Sequence, residues 1–349
     1  MKRLVGWGAA GAVVAAVVGT EVARRRLGGE DDDLEERLGT GESFKVETDD
    51  GAVLDGVVIG VGPTVVLSHC WTGTRDVWAP VAIRLLASGH RIVLYDQRGH
   101  GTSTLGETTP TVAKLGADLR AVLETVDARD AVVAGHSMGG MAVLALAEDH
   151  PEVTAERVRA LVLVSTAGRL TGLLFLGNVA GAVVSNEQVG RLVAGRIGAV
   201  FVRPTAGRAI SRRHLATTRD GFTTTSAAVR RGFMNAMQTM DLREGMAAIN
   251  VPTTVVVGRR DILTPTHFSR AIATAIPSAR LVEVSGAGHM LPFEAPDLLA
   301  DLISQAHSNP TEPDAEANAP VGPARSEPST TVQTAPIPTS GSNGKGEHL

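Results

Sequence analysis

The stretch Ala131-Val132-Val133-Ala134-Gly135-His136-Ser137-Met138-Gly139-Gly140 decides the fold. Its first four residues are an apolar run of buried-strand type, and Met141 to Glu148 beyond it read as a helix. Between them lies Gly-x-Ser-x-Gly. A strand that passes straight into a helix turns tightly, so the residues two places either side of the serine must be nearly free of side chain. That turn holds the Ser137 hydroxyl up where a base and a carbonyl carbon can reach it. The five-residue pattern is common. Its place between strand and helix marks Ser137 as a candidate nucleophile rather than part of a plain glycine-rich turn.

Outward from this turn the chain alternates strand and helix signals between about residues 42 and 306. Phe44 to Thr48 and Ala52 to Ile59 read as a hairpin turned at Asp49-Asp50-Gly51. Six short apolar runs follow: Thr64 to Ser68, Arg91 to Tyr95, Ala131 to Ala134, Ala160 to Val164, Thr253 to Val257 and Arg280 to Val284. Helical patterns lie between most of them; in Val112 to Val126, residues 112, 115, 119, 122, 123 and 126 mark one apolar face. The expectation is an α/β fold with a mostly parallel, doubly wound sheet covered by helices on both faces. Sites in such sheets lie at the carboxyl ends of the strands.

Between the sixth and seventh expected strands the alternation breaks. Residues 169–243 show helical patterns and no clear strand, as a helical lid inserted into the sheet order would. The segment holds four of the seven phenylalanines, and its 11 arginines against three acids give it a local charge of +8. The rest of the chain is then near −12, since the whole carries −4. The segment reads as a solvated arginine-rich surface, or more sharply as one drawn to anionic headgroups or an acidic substrate.

A serine hydroxyl is a poor nucleophile at neutral pH. It needs a base in reach, and the base needs an orienting acid. Of the ten histidines, His289 sits in a loop after a late strand, in Ser285-Gly286-Ala287-Gly288-His289. Asp261 follows Thr253 to Val257 through Gly258-Arg259-Arg260. The candidate catalytic residues are therefore Ser137, Asp261 and His289, in the chain order nucleophile, acid, base. The backbone N–H of Met138 is one expected oxyanion donor. The other is assigned to Trp71 in the loop His69-Cys70-Trp71-Thr72-Gly73, with Cys70 as its neighbour alternative. His69, Cys70 and Trp71 are expected to line the substrate pocket. His136 reads as structural, and His100, in the turn-rich loop Asp96 to Ser103, as part of the site floor. No paired metal-ligand spacing occurs, and no metal or cofactor is expected.

The ends differ from the middle. Lys2 and Arg3 precede sixteen uncharged residues, Leu4 to Gly19, with Arg24-Arg25-Arg26 beyond. A helix from Leu4 to Ala23 would reach about 30 Å. Residues 1–26 read as an uncleaved single-segment membrane anchor, or alternatively as a signal peptide of a secreted protein. Residues 27–41 read as an acidic linker and 307–349 as a disordered tail, residues 309–349 alone holding 7 of the 17 prolines and no aromatic. Hydrophobic residues make up 43% of the chain and aromatics 3%, so a core would be mostly Ala, Val and Leu. The net charge gives no reason to expect nucleic acid, and the single Cys70 excludes a disulfide framework or cysteine-rich zinc site.

Five motifs in this order carry a resemblance: the His69 loop, Asp96-x-Arg98-Gly99-x-Gly101, the Ser137 elbow, Gly258-x-x-Asp261 and Gly288-His289. Over about residues 45 to 306 the chain resembles the α/β-hydrolase superfamily, near its esterase, monoacylglycerol-lipase and cofactor-free haloperoxidase-like branches. The resemblance implies the α/β-hydrolase fold. It also implies a serine hydrolase cleaving carboxylic esters, lipid-like in view of the apolar insertion and the anchor. Perhydrolase, thioesterase and carbon–carbon hydrolase chemistry on the same residues are alternatives, with a non-catalytic binding module behind them. Members that open epoxides or remove halide carry aspartate at the elbow; this chain has Ser137. The family usually has glycine after the oxyanion-loop histidine, and here Cys70 stands in that place.

Overall fold

The computed structural model describes residues 41–170, 186–188, 193, 203–207 and 210–308. The expected anchor (1–26), linker up to residue 40 and tail beyond 308 lie outside the described residues. Among the described residues, no helix is long and apolar enough to cross a membrane.

Strands β1 (Glu42–Glu47) and β2 (Val53–Ile59) form the hairpin. The Thr48 hydroxyl donates to Asp50, and Gly51 turns at φ 77°, a conformation glycine adopts without steric cost. Next come β3 (Thr64–Ser68), α1 (Ala79–Ala87), β4 (Arg91–Tyr95), α2 (Val112–Thr125), β5 (Ala131–His136), α3 (Met138–Asp149), α4 (Pro151–Arg157) and β6 (Val158–Val164). After α5 (Arg212–Thr224) and α6 (Ala227–Thr239), the chain continues through β7 (Thr253–Gly258), α7 (Thr266–Ala275), β8 (Ala279–Val284), α8 (Leu291–Glu294) and α9 (Pro296–Ser308). Helix α9 extends two residues past the expected domain end at 306, continuing an apolar face through Ala306.

The eight strands form one sheet in the order β1-β2-β4-β3-β5-β6-β7-β8. Only the β1–β2 and β2–β4 pairs are antiparallel; β4 through β8 run parallel. Because β3 lies between β4 and β5, the winding reverses there. The loops after β3 and β5 thus leave neighbouring strand ends at the switch point, where open α/β sheets bind ligands.

The parallel strands are buried on both faces, which is why they read as unbroken apolar runs. Their period-2 alternation divides the core. Val66, Val133, Leu161 and Leu163 join α2, α3 and α7 on one face. Val65, Leu67, Val132, Ala134, Val162 and Val164 join α1 and α9 on the other. Helix α2 is capped by the Thr111 hydroxyl and buries residues 112, 115, 119, 122 and 123. It crosses α3 at Gly116, where any Cβ would strike the Ala145 backbone. Helix α3 has no solvent stripe: Met138 to Ala147 are all buried.

Between β6 and β7 the described residues form helices and no strand. Ser211 and Ser226 cap α5 and α6 through their hydroxyls. The insertion's arginines are not uniformly solvated. Arg230 is buried, donates to the Phe222 and Thr225 carbonyls, and stands 4.6 Å over the Phe222 ring.

Candidate active site

Ser137 adopts φ 55° and ψ −115° between β5 and α3. A non-glycine residue at positive φ is strained, and such strain persists where surrounding structure enforces it. Here the Ser137 amide donates to Val164 O (2.9 Å) and its carbonyl accepts the Thr166 hydroxyl (2.7 Å). The sequence gives the turn its space: a Cβ at Gly135 would strike Gly139, one at Gly139 the Ser68 carbonyl, and one at Gly140 the Thr166 side chain. Each glycine of the elbow therefore admits a different neighbour.

Asp261 and His289 come together from the loops after β7 and β8. His289 Nδ1 lies 2.8 Å from Asp261 Oδ2, and both side chains are buried. Asp261 Oδ1 accepts the amides of Leu263 (2.9 Å) and Thr264 (2.8 Å), while the Thr264 hydroxyl donates to Oδ2 at 2.8 Å. Burial pushes the Asp261 carboxyl up, but His289 opposite it and the Thr264 donors outweigh that and hold it below its ordinary value. The carboxylate is thus an ionised acceptor aimed at Nδ1, which leaves Nε2 of the imidazole to act as a base. Among the described residues none hydrogen-bonds the Ser137 hydroxyl. Nucleophile–base contacts are often long in unliganded enzymes and tighten with substrate.

His289 is tied to the elbow by a different route. His136 Nε2 donates to the His289 carbonyl at 2.8 Å, and the two rings lie 5.0 Å apart. His136 thus holds the backbone of His289.

Met138 is the first residue of α3, and a helix's first-turn N–H groups have no intrahelical acceptor. Trp71 lies in the turn after β3, closed by Gly73 N–H to Cys70 O at 3.0 Å, with Thr72 at φ 57°. Helix α5 supports that strained turn, since Gly221 abuts the Thr72 carbonyl so closely that a Cβ would collide with it. The half-buried Trp71 ring meets Phe222 edge to face at 6.4 Å.

His69 is fully buried with both ring nitrogens engaged: Nδ1 with Cys70 O (2.8 Å) and Nε2 with the Gln97 amide (2.8 Å). Gln97 also donates through its side chain to the His69 carbonyl. His69 therefore acts as a strut between the loops after β3 and β4. Cys70 packs with Val77, Ala206, Ile210, Met290 and Phe293. Burial pushes its thiol up to about 12, so it is a small apolar filler rather than a reactive thiolate.

The Asp96 loop is braced rather than reactive. Asp96 accepts the amides of Arg75 and Thr102, and Arg98 reaches back to Asp118 and Asp50. His100 is buried against His69 and Phe233. Two further residues at the site, Thr264 and Glu294, carry no sequence signal beyond standing three residues after Asp261 and five after His289. Among the described residues, no group of His, Cys, Asp and Glu could hold a metal ion.

A parallel sheet with a strained serine at its switch point and a paired histidine and aspartate on the later loops defines a hydrolase-type scaffold. The chain belongs to the α/β hydrolase fold family, whose model matches residues 63–296. It is 29% identical over 249 residues to a protein of Azorhizobium caulinodans that bears the name "Putative carbamate hydrolase RutD", covering 70% of this chain and 91% of that one. It is 30% identical over 238 residues to the pimeloyl-[acyl-carrier protein] methyl ester esterase of Xanthomonas campestris pv. campestris, covering 66% and 90%. Among solved structures, the enol-lactonase from Burkholderia xenovorans LB400 superposes with a TM-score of 0.64 at 27% identity, covering 75% of this chain and 98% of that one. These relatives support a hydrolase acting on esters.

Proposed function

We propose that the protein is a serine hydrolase that cleaves carboxylic esters with apolar acyl groups through an acyl-enzyme. The observation that carries this reading is the 2.8 Å contact of Asp261 Oδ2 with His289 Nδ1, formed in the same strand-end cluster as the elbow at Ser137. Ser137 attacks the ester carbonyl, and its proton passes to His289 Nε2. The amides of Met138 and Trp71 receive the developing oxyanion. His289 then protonates the leaving alcohol, and water repeats the sequence on the acyl group, with Asp261 holding the imidazole in one tautomer throughout. Phe222 beside Trp71 and the apolar residues of the insertion favour an acyl chain over a charged one.

The test is a panel of p-nitrophenyl esters of rising chain length, with wild type and Ser137→Ala. Methyl ester, carbamate and lactone probes, the bond types in the relatives' names, belong in the same panel. The expected result is hydrolysis that rises with chain length and is lost in Ser137→Ala; unchanged activity in that variant would overturn the mechanism. Residues 1–26 are proposed as a membrane attachment on the strength of their uncharged run between basic residues. Deleting them should release active enzyme from membranes, and a truncated protein that still pellets with membranes would refute that role.

A further inference from the structure

Three chain segments meet backbone to backbone around the candidate base, with glycines at each contact. A Cβ at Gly258, which ends β7, would strike the carbonyl of Gly288; one at Gly288 would strike the amide of Gly207; one at Gly207 would strike the carboxylate of Glu294. Gly207 belongs to the insertion, Gly288 precedes His289, and Glu294 ends α8. The stack therefore joins the loop of the acid, the loop of the base and the insertion.

Glu294 closes the stack. Its Oε2 accepts the amides of Gly207 (2.7 Å) and Gly288 (2.9 Å), and its Oε1 accepts the amide of Met290 (3.1 Å). The amide between them, that of His289, donates to Thr205 O at 2.9 Å. Three consecutive amides around the base are thus fixed, two by one carboxylate and one by the insertion. Burial raises the Glu294 carboxyl above its ordinary value, and the three amides and nearby His289 offset only part of that rise. A carboxylate holding three N–H donors is a charge-assisted clamp, stronger than neutral hydrogen bonds would make.

We propose that Glu294 is a positioning residue that couples residues 205–207 of the insertion to His289, so that the placement of the insertion sets the aim of the base. The proposal rests on the reading of His289 as the base for Ser137. Glu294 touches no reacting atom. It acts by fixing the backbone from which the imidazole projects, and misplacement of a reacting group by about 1 Å costs on the order of 100-fold in rate.

The experiment compares wild type, Glu294→Gln, Gly207→Ala and the double variant. Active sites are counted by fluorophosphonate titration, and kcat and KM for p-nitrophenyl butyrate are expressed per titrated site. This removes any loss caused by a smaller folded fraction. The glutamine keeps one oxygen but turns an NH₂ towards an amide donor. The methyl group of Gly207→Ala would press on the same carboxylate. Each single variant is expected to lower kcat per site by about 10- to 100-fold with KM within about threefold. The double variant should be no worse than the weaker single, because both break one unit. Wild-type kcat per site in Glu294→Gln, or losses that multiply in the double variant, would overturn the proposal. Should Glu294→Gln not fold, Gly207→Ala decides alone, and wild-type kcat there overturns it. An active wild type whose Ser137 is not labelled would bring down the serine-hydrolase reading, and the coupling with it. Labelling of Ser137 with no effect in the variants brings down the coupling only.

Discussion

His136 donates its Nε2 proton to the backbone carbonyl of His289 at 2.8 Å. The residue before the candidate nucleophile therefore holds the backbone of the candidate base. The carbonyl can only accept, which assigns the proton to Nε2, and burial lowers the His136 pKa to about 3, so the ring is neutral at any working pH. His136→Phe keeps the aromatic volume and leaves the His289 carbonyl buried without a donor. The expected cost is about 1–3 kcal/mol of stability, read from urea unfolding, together with a fall in kcat at unchanged KM. A phenylalanine variant as stable and active as wild type would show that this bond holds nothing.

Arg98 sends Nε and Nη2 to Asp118 at 2.6 Å each and Nη1 to Asp50 at 2.8 Å. Both Arg98 and Asp118 are almost fully buried. Removing one partner of such a pair leaves an uncompensated buried charge. Asp118→Ala is expected to destabilise the fold by about 3–5 kcal/mol, and Asp118→Asn, which keeps one acceptor, by less. Thermal and urea unfolding check both. The double variant Arg98→Met with Asp118→Leu should recover part of the loss, because neither charge of that pair is then left alone and the buried Asp50 keeps Lys114, Thr48 and Thr108 as partners.

What the sequence shows well here is what depends on near neighbours. The elbow needs small residues at fixed positions around Ser137, the parallel strands need short apolar runs, and α2 needs its i, i+3, i+4, i+7 stripe. Each leaves a local trace, and each appears where expected. Strand ends were less legible: β6 starts at Val158 rather than Ala160, because α4 leads directly into it. Contacts between distant segments left the weakest trace. Glu294 is one acid among many until Gly207 is folded against it. Gly221 looks like an unfavourable residue inside a helix until the Thr72 carbonyl occupies the space beside it. His69 was expected on the pocket wall, and nothing local to it shows that the Gln97 amide takes its second nitrogen.

Acid sensitivity follows from the buried histidines. His100 and His136 each have a pKa of about 3 in the fold, lowered chiefly by burial from an ordinary 6.5. Below about pH 6.5 the unfolded chain takes up protons that the folded one does not, so stability rises with pH in this window. It is fully present above about 6.5 and is lost as pH falls towards 3. His69, also lowered by burial, acts in the same direction. Each histidine contributes about 1.4 kcal/mol per pH unit, so urea midpoints should fall steeply between pH 5.5 and 4.5. His100→Asn keeps a donor to the Arg98 carbonyl, which His100 Nδ1 contacts at 3.0 Å. It should flatten the slope by about 1 kcal/mol per pH unit. An unaltered slope would place the acid sensitivity elsewhere.

Asp261→Asn separates the orienting role proposed for Asp261 from its place in the fold. The amides of Leu263 and Thr264 both donate to Oδ1, so an asparagine must turn its carbonyl oxygen to them. Its NH₂ then faces His289 Nδ1, where the carboxylate accepted at 2.8 Å. Two donors cannot share that contact, so the imidazole gives up its Nδ1 proton and carries one on Nε2 instead. In that tautomer Nε2 has no lone pair for the Ser137 proton. The loop stays capped, the pocket keeps its shape, and the rate is lost: kcat should fall about 10⁴-fold with KM little changed. Steady-state hydrolysis of p-nitrophenyl butyrate measures the loss, and the imidazole ¹⁵N resonances report which nitrogen is protonated. A kcat within tenfold of wild type would mean that Asp261 does not orient the base. Glu294, whose carboxylate accepts the amides on either side of His289, would then be the next residue to replace.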